Sequence, residues 1–214
     1  MDFYVTPLVH PTTVRQGNWH LEPAQQAYLT RLVENEKANL PPPTWNTAEP
    51  PPGAYLYPSL AQLDEWWTEF KAGGYDAISH DLETAGQFII CDGLTPLDTT
   101  TGRVGSSLCL RFRGHDGVRW WASYTEHERA VRWLGKVLAD PTISFVGHNI
   151  VGFDIPILKQ HGFDVAGPLV DTMVLMSRAY PEFKKGLGYC ATLFLWAPAW
   201  KLMVKDTDDG AEKS

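Results

Sequence analysis

From residue 58 onward, short apolar runs alternate with amphipathic helical patterns, and this order constrains the fold more than any other feature of the sequence. A strand is expected at 75–82, followed by strands at 106–113 and 117–123 that should pair as a hairpin. Two later strands, at 143–146 and 168–170, are separated by a helical pattern, so they should run parallel with right-handed crossovers. The order predicts an α/β fold in which helices flank a mixed sheet.

The helices of this region carry start and stop signals. Ser59 can cap a first helix that ends at Gly73 and Gly74. Thr125 and Glu128 match the Ser/Thr-x-x-Glu capping box, which predicts that a second helix starts there. Three further helical segments are expected, near 151–161, 172–180 and 186–196.

Composition divides the chain into four segments. Residues 1–36 contain a short apolar run, a His-Pro turn at His10 and a helix-like stretch. Residues 37–57 hold two triple-proline runs, which favour extended polyproline conformation, so we expect a semi-rigid linker without helix or sheet. The α/β region covers 58–200. Residues 201–214 form a polar tail that we expect to be disordered.

Charge, cysteine content and hydropathy exclude several classes of protein. The chain of 214 residues has a net charge of −7, whereas a protein held on duplex DNA by a broad basic face is usually positive. Its three cysteines are widely spaced and form no CxxC pair, which suits a reducing compartment. No apolar run reaches the roughly 18 residues of a membrane span. The N-terminus lacks a secretory pattern, so we expect a cytoplasmic protein without a membrane partner.

Three acidic residues follow or end predicted strands. Asp81 and Glu83 end the first strand and lie two residues apart, so both should point to the same face. Asp154 follows the strand at 143–146 and should lie in the first turns of a helix, facing the end of the first strand. Carboxylates that converge repel one another unless a cation neutralises them. Mg²⁺ or Mn²⁺ would do so, and two such ions about 4 Å apart could clamp the attacking and leaving oxygens of a phosphodiester.

Three longer segments carry a resemblance to a known superfamily: DAISHDLETAG, VGHNIVGFDIPILKQHG and VDTMVLMSRAYPEFKKGLGYCATLF. They resemble the DEDD 3′→5′ exonucleases, especially the proofreading domain of family A DNA polymerases, over about 75–200. The resemblance implies a ribonuclease-H-like fold and hydrolysis of terminal DNA phosphodiesters by two Mg²⁺ or Mn²⁺ ions. It implies that Asp81 bridges both ions, Glu83 holds the ion that activates water, and Asp154 holds the other.

The same resemblance suggests residues that bind the substrate, a single-stranded DNA 3′ end. Thr84 would contact the terminal nucleotide, and Asn149 and Phe153 would line the site near it. His148 is either a substrate contact or a loop residue that supports its neighbours. Asp171 corresponds to a frequent acidic position of the family, where we expect a helix cap rather than a metal ligand.

One motif of the superfamily has no counterpart in this sequence. The third motif places Tyr-x-x-x-Asp or His-x-x-x-x-Asp on a late helix, and Asp206, Asp208 and Asp209 have neither Tyr nor His at those spacings. We therefore expect a truncated or split site, with the fourth carboxylate supplied by a downstream segment or a companion chain.

The N-terminal segment carries a weaker resemblance. Its apolar run at 3–9, the His10-Pro11 turn and the helix-like stretch at 23–35 resemble the end of iron–sulfur-family uracil-DNA glycosylases. The water-activating motif and cluster cysteines of those enzymes are absent, so His10 would be a relic, and a chance extension is the alternative. A fusion of the two activities in a phage would explain both resemblances and place the protein in DNA repair or replication, in a bacterial or phage-infected cell.

Three functions stay open. The first is a DNA 3′→5′ exonuclease that is incomplete in this chain. The second is a catalytically inactive module of the same fold that binds DNA ends or another protein. The third is an RNA 3′ exonuclease resembling ribonuclease D, although the glycosylase-like segment favours DNA.

Overall fold

The computed structural model describes residues 53–114 and 117–195, apart from the side chains of 192, 193 and 195. The predicted glycosylase-like segment 1–36, most of the proline-rich linker and the polar tail lie outside these residues. The chain divides into a larger unit over 48–172 and a smaller one whose described part is 173–195.

A five-stranded mixed sheet forms the centre of the larger unit. Its strands are β1 (Ala77–Ala85), β2 (Phe88–Leu97), β3 (Leu108–Arg111), β4 (Ser144–Gly147) and β5 (Leu169–Asp171). The spatial order is β3-β2-β1-β4-β5, with β1, β2 and β3 antiparallel and with β4 and β5 parallel to β1. This order and these directions define a ribonuclease-H-like sheet, so the predicted fold class is confirmed.

The described part of the chain contains five helices. They are α1 (Leu60–Ala72), α2 (Tyr124–Leu138), α3 (Asp154–Gln160), α4 (Thr172–Ala179) and α5 (Leu187–Leu195). The predicted start of α1 is confirmed, because Ser59 and Gln62 form a capping box in which each side chain bonds the other residue's backbone N–H. No helix among the described residues is long and apolar enough to cross a membrane.

The hydrophobic core lies on one face of the sheet, against α1 and α2. Trp66, Phe70 and Leu134 from these helices are at most 1% exposed, as are Ile78 and Leu110 from the strands. Each such side chain contributes about 1.5–3 kcal/mol relative to an exposed position. Burial along β1 alternates, so the residues that share the orientation of Ile78 enter the core and those between them do not.

Strand β2 was not predicted, and β3 pairs with β2 rather than with the predicted partner 117–123. Residues 117–123 form no strand, although an antiparallel bridge between Arg113 and Arg119 and a backbone hydrogen bond from Trp120 to Phe112 join them to the residues after β3. Strand β2 instead pairs with both β1 and β3. Gly93, Pro96 and the buried Asp92 interrupt the apolar pattern of β2. The pairing with β1 also shifts register beside Glu83, which changes the alternation. The strand is therefore specified by its two neighbours rather than by its own composition.

Two further predictions need correction at their boundaries. Helix α2 starts before the predicted Thr125, because Ser123 and Glu126 form the capping box instead of Thr125 and Glu128. The predicted linker 37–57 is not free of sheet contacts at its end. Tyr55 exchanges backbone hydrogen bonds with the edge strand β3, donating to Ser107 at 2.8 Å and accepting from Cys109 at 2.9 Å.

The described part of the smaller unit has its own small apolar cluster. Met176 is 5% exposed and packs with Phe183, Tyr189 and Cys190. The ammonium group of Lys185 donates to backbone carbonyls of the turn between α4 and α5, including that of Pro181 at 3.0 Å. These contacts fix the turn between the two helices.

Candidate metal and nucleic-acid site

Asp81 and Glu83 lie on the face of β1 that is opposite to the core. Both residues are exposed, whereas Leu82 between them is 3% exposed. In the register of the sheet, Asp81 lies opposite Gly93, which has no side chain, and Glu83 lies opposite Cys91. The prediction that the two carboxylates share a face is confirmed.

The loop that follows β4 begins level with His80 of β1. A Cβ atom on Gly147 would lie 2.8 Å from Cβ of Ile150 and 3.0 Å from the carbonyl oxygen of His80, so only glycine fits at this approach of two strands. Asn149 adopts a left-handed backbone conformation with φ of 67°, and Ile150 is fully buried. The chain therefore turns sharply, anchored by one apolar side chain.

The carboxylate of Asp171 holds this loop from the end of the neighbouring strand β5. Its Oδ1 accepts the backbone N–H of Asn149 at 3.0 Å, and its Oδ2 accepts that of Val151 at 3.2 Å. Asp171 is 7% exposed. In the structure, its carboxylate binds the loop after β4. This interaction is additional to the predicted cap on the following helix and was not expected.

His148 also contributes to the order of the loop. The Thr172 hydroxyl donates to the carbonyl oxygen of Gly147 at 3.2 Å, and Nδ1 of His148 lies 2.9 Å from the same hydroxyl oxygen. A direct substrate contact of His148 stays a prediction.

Thr84, Asn149 and Phe153 were predicted to bind the substrate. Thr84 is half-buried and lies immediately beyond the register shift in β1. Asn149 is half-buried, and its Oδ1 would lie 2.5 Å from a Cβ atom on Gly152, so the glycine makes room for this amide. Phe153 is 42% exposed and immediately precedes Asp154. These positions leave the amide and the ring beside the start of α3, and their contact with a substrate stays a prediction.

Asp154 is the first residue of α3, as predicted, and it is only 3% exposed. Its Oδ1 lies 3.6 Å from Nδ1 of His80, and Nε2 of His80 lies 2.9 Å from Oδ1 of Asp92 on β2. His80 is 3% exposed and Asp92 is fully buried. These are charge contacts rather than well-aligned hydrogen bonds. The three side chains form a buried row, which we call the His80 network.

The carboxylates determine the charge of His80. Burial alone would lower its pKa, but attraction by Asp92 and the contact with Asp154 more than offset this and raise the pKa from 6.5 to about 10. Neither His80 nor Asp92 was predicted as a site residue. A signal for His80 was available, because it lies two residues from Ile78 and from Leu82 and must share their buried face.

The structure brings Asp81 and Glu83 together but does not show Asp154 beside them. Asp81 and Glu83 share the outer face of β1, whereas Asp154 reaches β1 through His80, whose side chain lies on the core face. Among residues 53–114 and 117–195, no three His, Cys, Asp or Glu side chains form a group that could hold a metal ion. The centre of three carboxylates therefore stays a prediction.

The donor atoms nevertheless suit a divalent cation in kind. Asp81 and Glu83 offer exposed carboxylate oxygens, the ligand type that Mg²⁺ and Mn²⁺ prefer. Asp154 has its Oδ1 enclosed beside His80 and retains 5% side-chain exposure.

No family model and no curated protein matches the sequence. Solved structures resemble it at low identity. The apo form of a nuclease has a TM-score of 0.43 at 22% identity, over 60% of this chain and 56% of the other. The EXD2 exonuclease domain soaked in Mn and GMP has a TM-score of 0.40 at 18% identity, over 68% and 71% of the two chains. Escherichia coli RNase D, an exoribonuclease involved in structured RNA processing, has a TM-score of 0.42 at 16% identity, over 68% and 33%.

The matched part of this chain thus spans about half the length of the first of these proteins. The similarities concern the fold and assign no activity to this chain. The closer resemblance to polymerase proofreading domains, and that of residues 1–36 to glycosylases, stay predictions.

Proposed function

We propose that this chain contributes a metal-dependent 3′→5′ exonuclease site that acts on single-stranded DNA ends. The observation that supports this most directly is the placement of Asp81 and Glu83. Two exposed carboxylates share one face in the carboxyl-terminal half of β1, and the loop after the adjacent parallel strand β4 brings Asp154 back to β1. Ligands of α/β sheets bind outside the carboxyl ends of such strands.

Asp81 and Glu83 would hold one Mg²⁺ or Mn²⁺ ion, and Oδ2 of Asp154 would help to hold a second. Such ions lower the pKa of bound water and neutralise charge on a phosphodiester. The protein's own contribution is to orient the 3′ end. The exposed ring of Phe153 could stack on a base, and Asn149 and Thr84 could donate hydrogen bonds to the terminal nucleotide.

A second candidate is a module that binds nucleic-acid ends without cleaving them. It is favoured by the absence of a three-residue metal group among the described residues and by the contact of Asp154 with His80. The sequence also lacks the third motif of the exonucleases it resembles. We therefore expect the chain to bind Mn²⁺ and 3′ ends weakly and to hydrolyse them slowly, unless a segment with that motif is added in cis or in trans. An RNA 3′ end is the alternative substrate.

The first experiment measures binding. Mn²⁺ binding is followed by electron paramagnetic resonance, and binding of fluorescein-labelled single strands by anisotropy in Ca²⁺ at low salt. Asp81→Asn and Glu83→Gln should each weaken Mn²⁺ binding, whereas Asp64→Asn should not, because Asp64 is an exposed acidic residue on α1. Absence of Mn²⁺ binding, or binding that is indifferent to Asp81→Asn, would refute the proposal.

The second experiment measures cleavage of matched DNA and RNA oligonucleotides carrying a label at the 5′ end. Addition of a helix with the Tyr-x-x-x-Asp motif should produce a ladder that shortens from the 3′ end. EDTA or Asp81→Asn should abolish the ladder. Binding without cleavage, even after this addition, would favour the non-catalytic module. Robust Mn²⁺-dependent shortening by the 214-residue chain alone would show that the third motif is not required and would implicate Asp206, Asp208 or Asp209.

A further inference from the structure

We propose that a group of arginines and exposed aromatic rings beside β3 binds a single-stranded nucleic acid, on the 5′ side of the end that the proposed site would hold. We call this group the arginine–aromatic surface, and its members are Tyr57, Phe88, Arg111, Arg113, Arg119 and Trp120. The choice of ligand rests on the proposed function, whereas none of the six residues belongs to the proposed metal site.

The aromatic rings of this surface are large, apolar and exposed. Tyr57 is 60% exposed, Phe88 is 54% exposed and Trp120 is 39% exposed. The rings of Tyr57 and Trp120 stack on each other, with centroids 5.3 Å apart and an angle of 25° between the ring planes. Single exposed apolar side chains are normal, but a group of them marks an interaction site.

Arginine side chains lie over these rings. Cζ of Arg111 is 4.8 Å from the centre of the Tyr57 ring and 5.2 Å from the centre of the Trp120 ring. Cζ of Arg113 is 4.3 Å from the centre of the Phe88 ring. Such cation–π contacts restrict the rotamers of a long side chain, so less conformational freedom is lost when a ligand binds. The guanidinium groups are therefore pre-organised.

The positive charges of the surface lack acidic partners in the described part of the chain. None of the three arginines forms an ion pair with a described Asp or Glu. Arg113 and Arg119 lie opposite each other in an antiparallel bridge, an arrangement in which like charges repel. Residues 103–123, which lead from β2 to α2, contain four arginines and one acidic residue, although the chain has a net charge of −7. An anionic ligand would relieve this repulsion.

The combination of rings and guanidinium groups fits a single strand better than it fits other anions. A guanidinium group binds phosphate oxygens with two hydrogen bonds, and an exposed aromatic ring stacks on a base. A single strand presents phosphates and free base faces together. In a duplex the bases are already stacked on one another, and an acidic peptide would leave the rings unused.

The surface adjoins the face of the sheet that carries the proposed metal ligands. In the register of the sheet, Glu83 lies opposite Cys91, and Cys91 lies opposite Arg111, so the three side chains share the outer face. Adjacent strands are about 4.8 Å apart, which puts the backbone of Arg111 about 10 Å from that of Glu83. A strand with its 3′ end at Glu83 would therefore reach the arginine–aromatic surface within a few nucleotides.

The test measures binding of fluorescein-labelled thymidine and uridine oligonucleotides to the 214-residue chain by anisotropy in EDTA, so that no metal ion contributes. The triple variant Arg111→Gln/Arg113→Gln/Arg119→Gln should lose more than about tenfold in affinity at low salt. It should also lower the slope of log affinity against log salt by about 2, since each lost phosphate contact removes about 0.7. Arg132→Gln is the control, because Arg132 is an exposed arginine paired with Glu128 on α2, and it should change neither quantity. The oligonucleotide that binds more tightly identifies DNA or RNA as the ligand.

The contribution of the rings is tested with an oligonucleotide that carries abasic sites in place of thymidines. The wild type should bind the thymidine strand about 5–10-fold more tightly than the abasic strand. Trp120→Leu should remove this difference and leave the salt dependence unchanged, because the phosphate contacts remain. Thermal unfolding shows whether each variant folds. If the triple variant does not, Arg119→Gln replaces it, because Arg119 is exposed, and it should lower the slope by about 0.7.

The outcomes separate this inference from the proposed function. Equal binding by the wild type and the arginine variants in EDTA would overturn the inference. A wild type that binds neither strand would also overturn it and would leave a polypeptide as the partner of this surface. Binding that requires a divalent cation and responds to Asp81→Asn, but not to the arginines, would overturn the inference and leave the proposed function intact. Arginine-dependent binding in EDTA by a chain that binds no Mn²⁺ would support the surface and refute the metal site.

Discussion

Replacement of Asp171 by alanine should loosen the loop after β4 and destabilise the larger unit by about 3–4.5 kcal/mol. The carboxylate accepts two backbone N–H groups, from Asn149 at 3.0 Å and from Val151 at 3.2 Å. A hydrogen bond to a charged group contributes about 1.5–3 kcal/mol. Val151 is 50% exposed, so water can replace the carboxylate there and that bond should contribute near the lower limit. Asp171→Asn retains one acceptor oxygen and should cost about half as much.

Urea unfolding at neutral pH measures the loss of stability, and hydrogen exchange of the Asn149 and Val151 amides locates it. Both amides should exchange faster in Asp171→Ala, and only one of them in Asp171→Asn. Asp164→Ala is the matched control, because Asp164 is an exposed acidic residue of a nearby loop and such changes usually stay within about 0.5 kcal/mol. The reasoning fails if Asp171→Ala unfolds as the wild type does, or if Asp171→Asn is as damaging as alanine.

Three further predictions follow from other parts of the larger unit. Lys71 lies 2.6 Å from Asp140 and lowers the pKa of that carboxyl to about 2. The pair therefore stabilises the fold above the ordinary pKa near 3.9, and this contribution is lost as the pH falls through about 2. Lys71→Met should flatten the fall of the urea unfolding midpoint between about pH 4 and 2. A hydrogen bond with Cys91 and the nearby Arg111 lower the pKa of Cys109, whereas burial raises the pKa of Cys190. Iodoacetamide at pH 7 should therefore alkylate Cys109 first, and Arg111→Gln should slow the alkylation of Cys109. Faster labelling of Cys190 would contradict this. Leu134→Ala should cost about 2–5 kcal/mol in urea unfolding because Leu134 is fully buried, and a cost below about 1 kcal/mol would show that α2 does not cover the core.

The parts of the fold that the sequence predicted are those where local signals agree with tertiary structure. Helix α1 has a capping residue, a buried stripe and a glycine stop, and the structure places it where these signals do. Strand β1 alternates, so the outward orientation of Asp81 and Glu83 followed from spacing alone. The parallel arrangement of β4 and β5 followed from the helical patterns between them.

Strand β2 could not be predicted in the same way. Its Gly93 and Pro96 are typical of loops, and Asp92 is a charged residue at a fully buried position. Only the register with β1 shows that Asp92 faces His80, and that register shifts near Glu83. Long-range partners of this kind are not encoded in the spacing of one segment, so Asp92, one of the three members of the His80 network, could not be predicted.

Burial separates the acidic residues near this edge of the sheet into two kinds. Asp81 and Glu83 are exposed and can exchange water for a cation at little cost. Asp92, Asp154 and Asp171 are at most 7% exposed, and a buried carboxylate must have a compensating group. Asp171 has two backbone N–H groups and Asp92 has His80, whereas Asp154 shares His80 with Asp92 and so remains undercompensated. An added cation should therefore stabilise Asp154 more than the other buried carboxylates. Mn²⁺ should raise the unfolding temperature of the wild type, and Asp154→Asn should reduce this gain. The fold itself should persist without the ion. An equal Mn²⁺-dependent gain in wild type and Asp154→Asn would show that His80 alone satisfies both carboxylates.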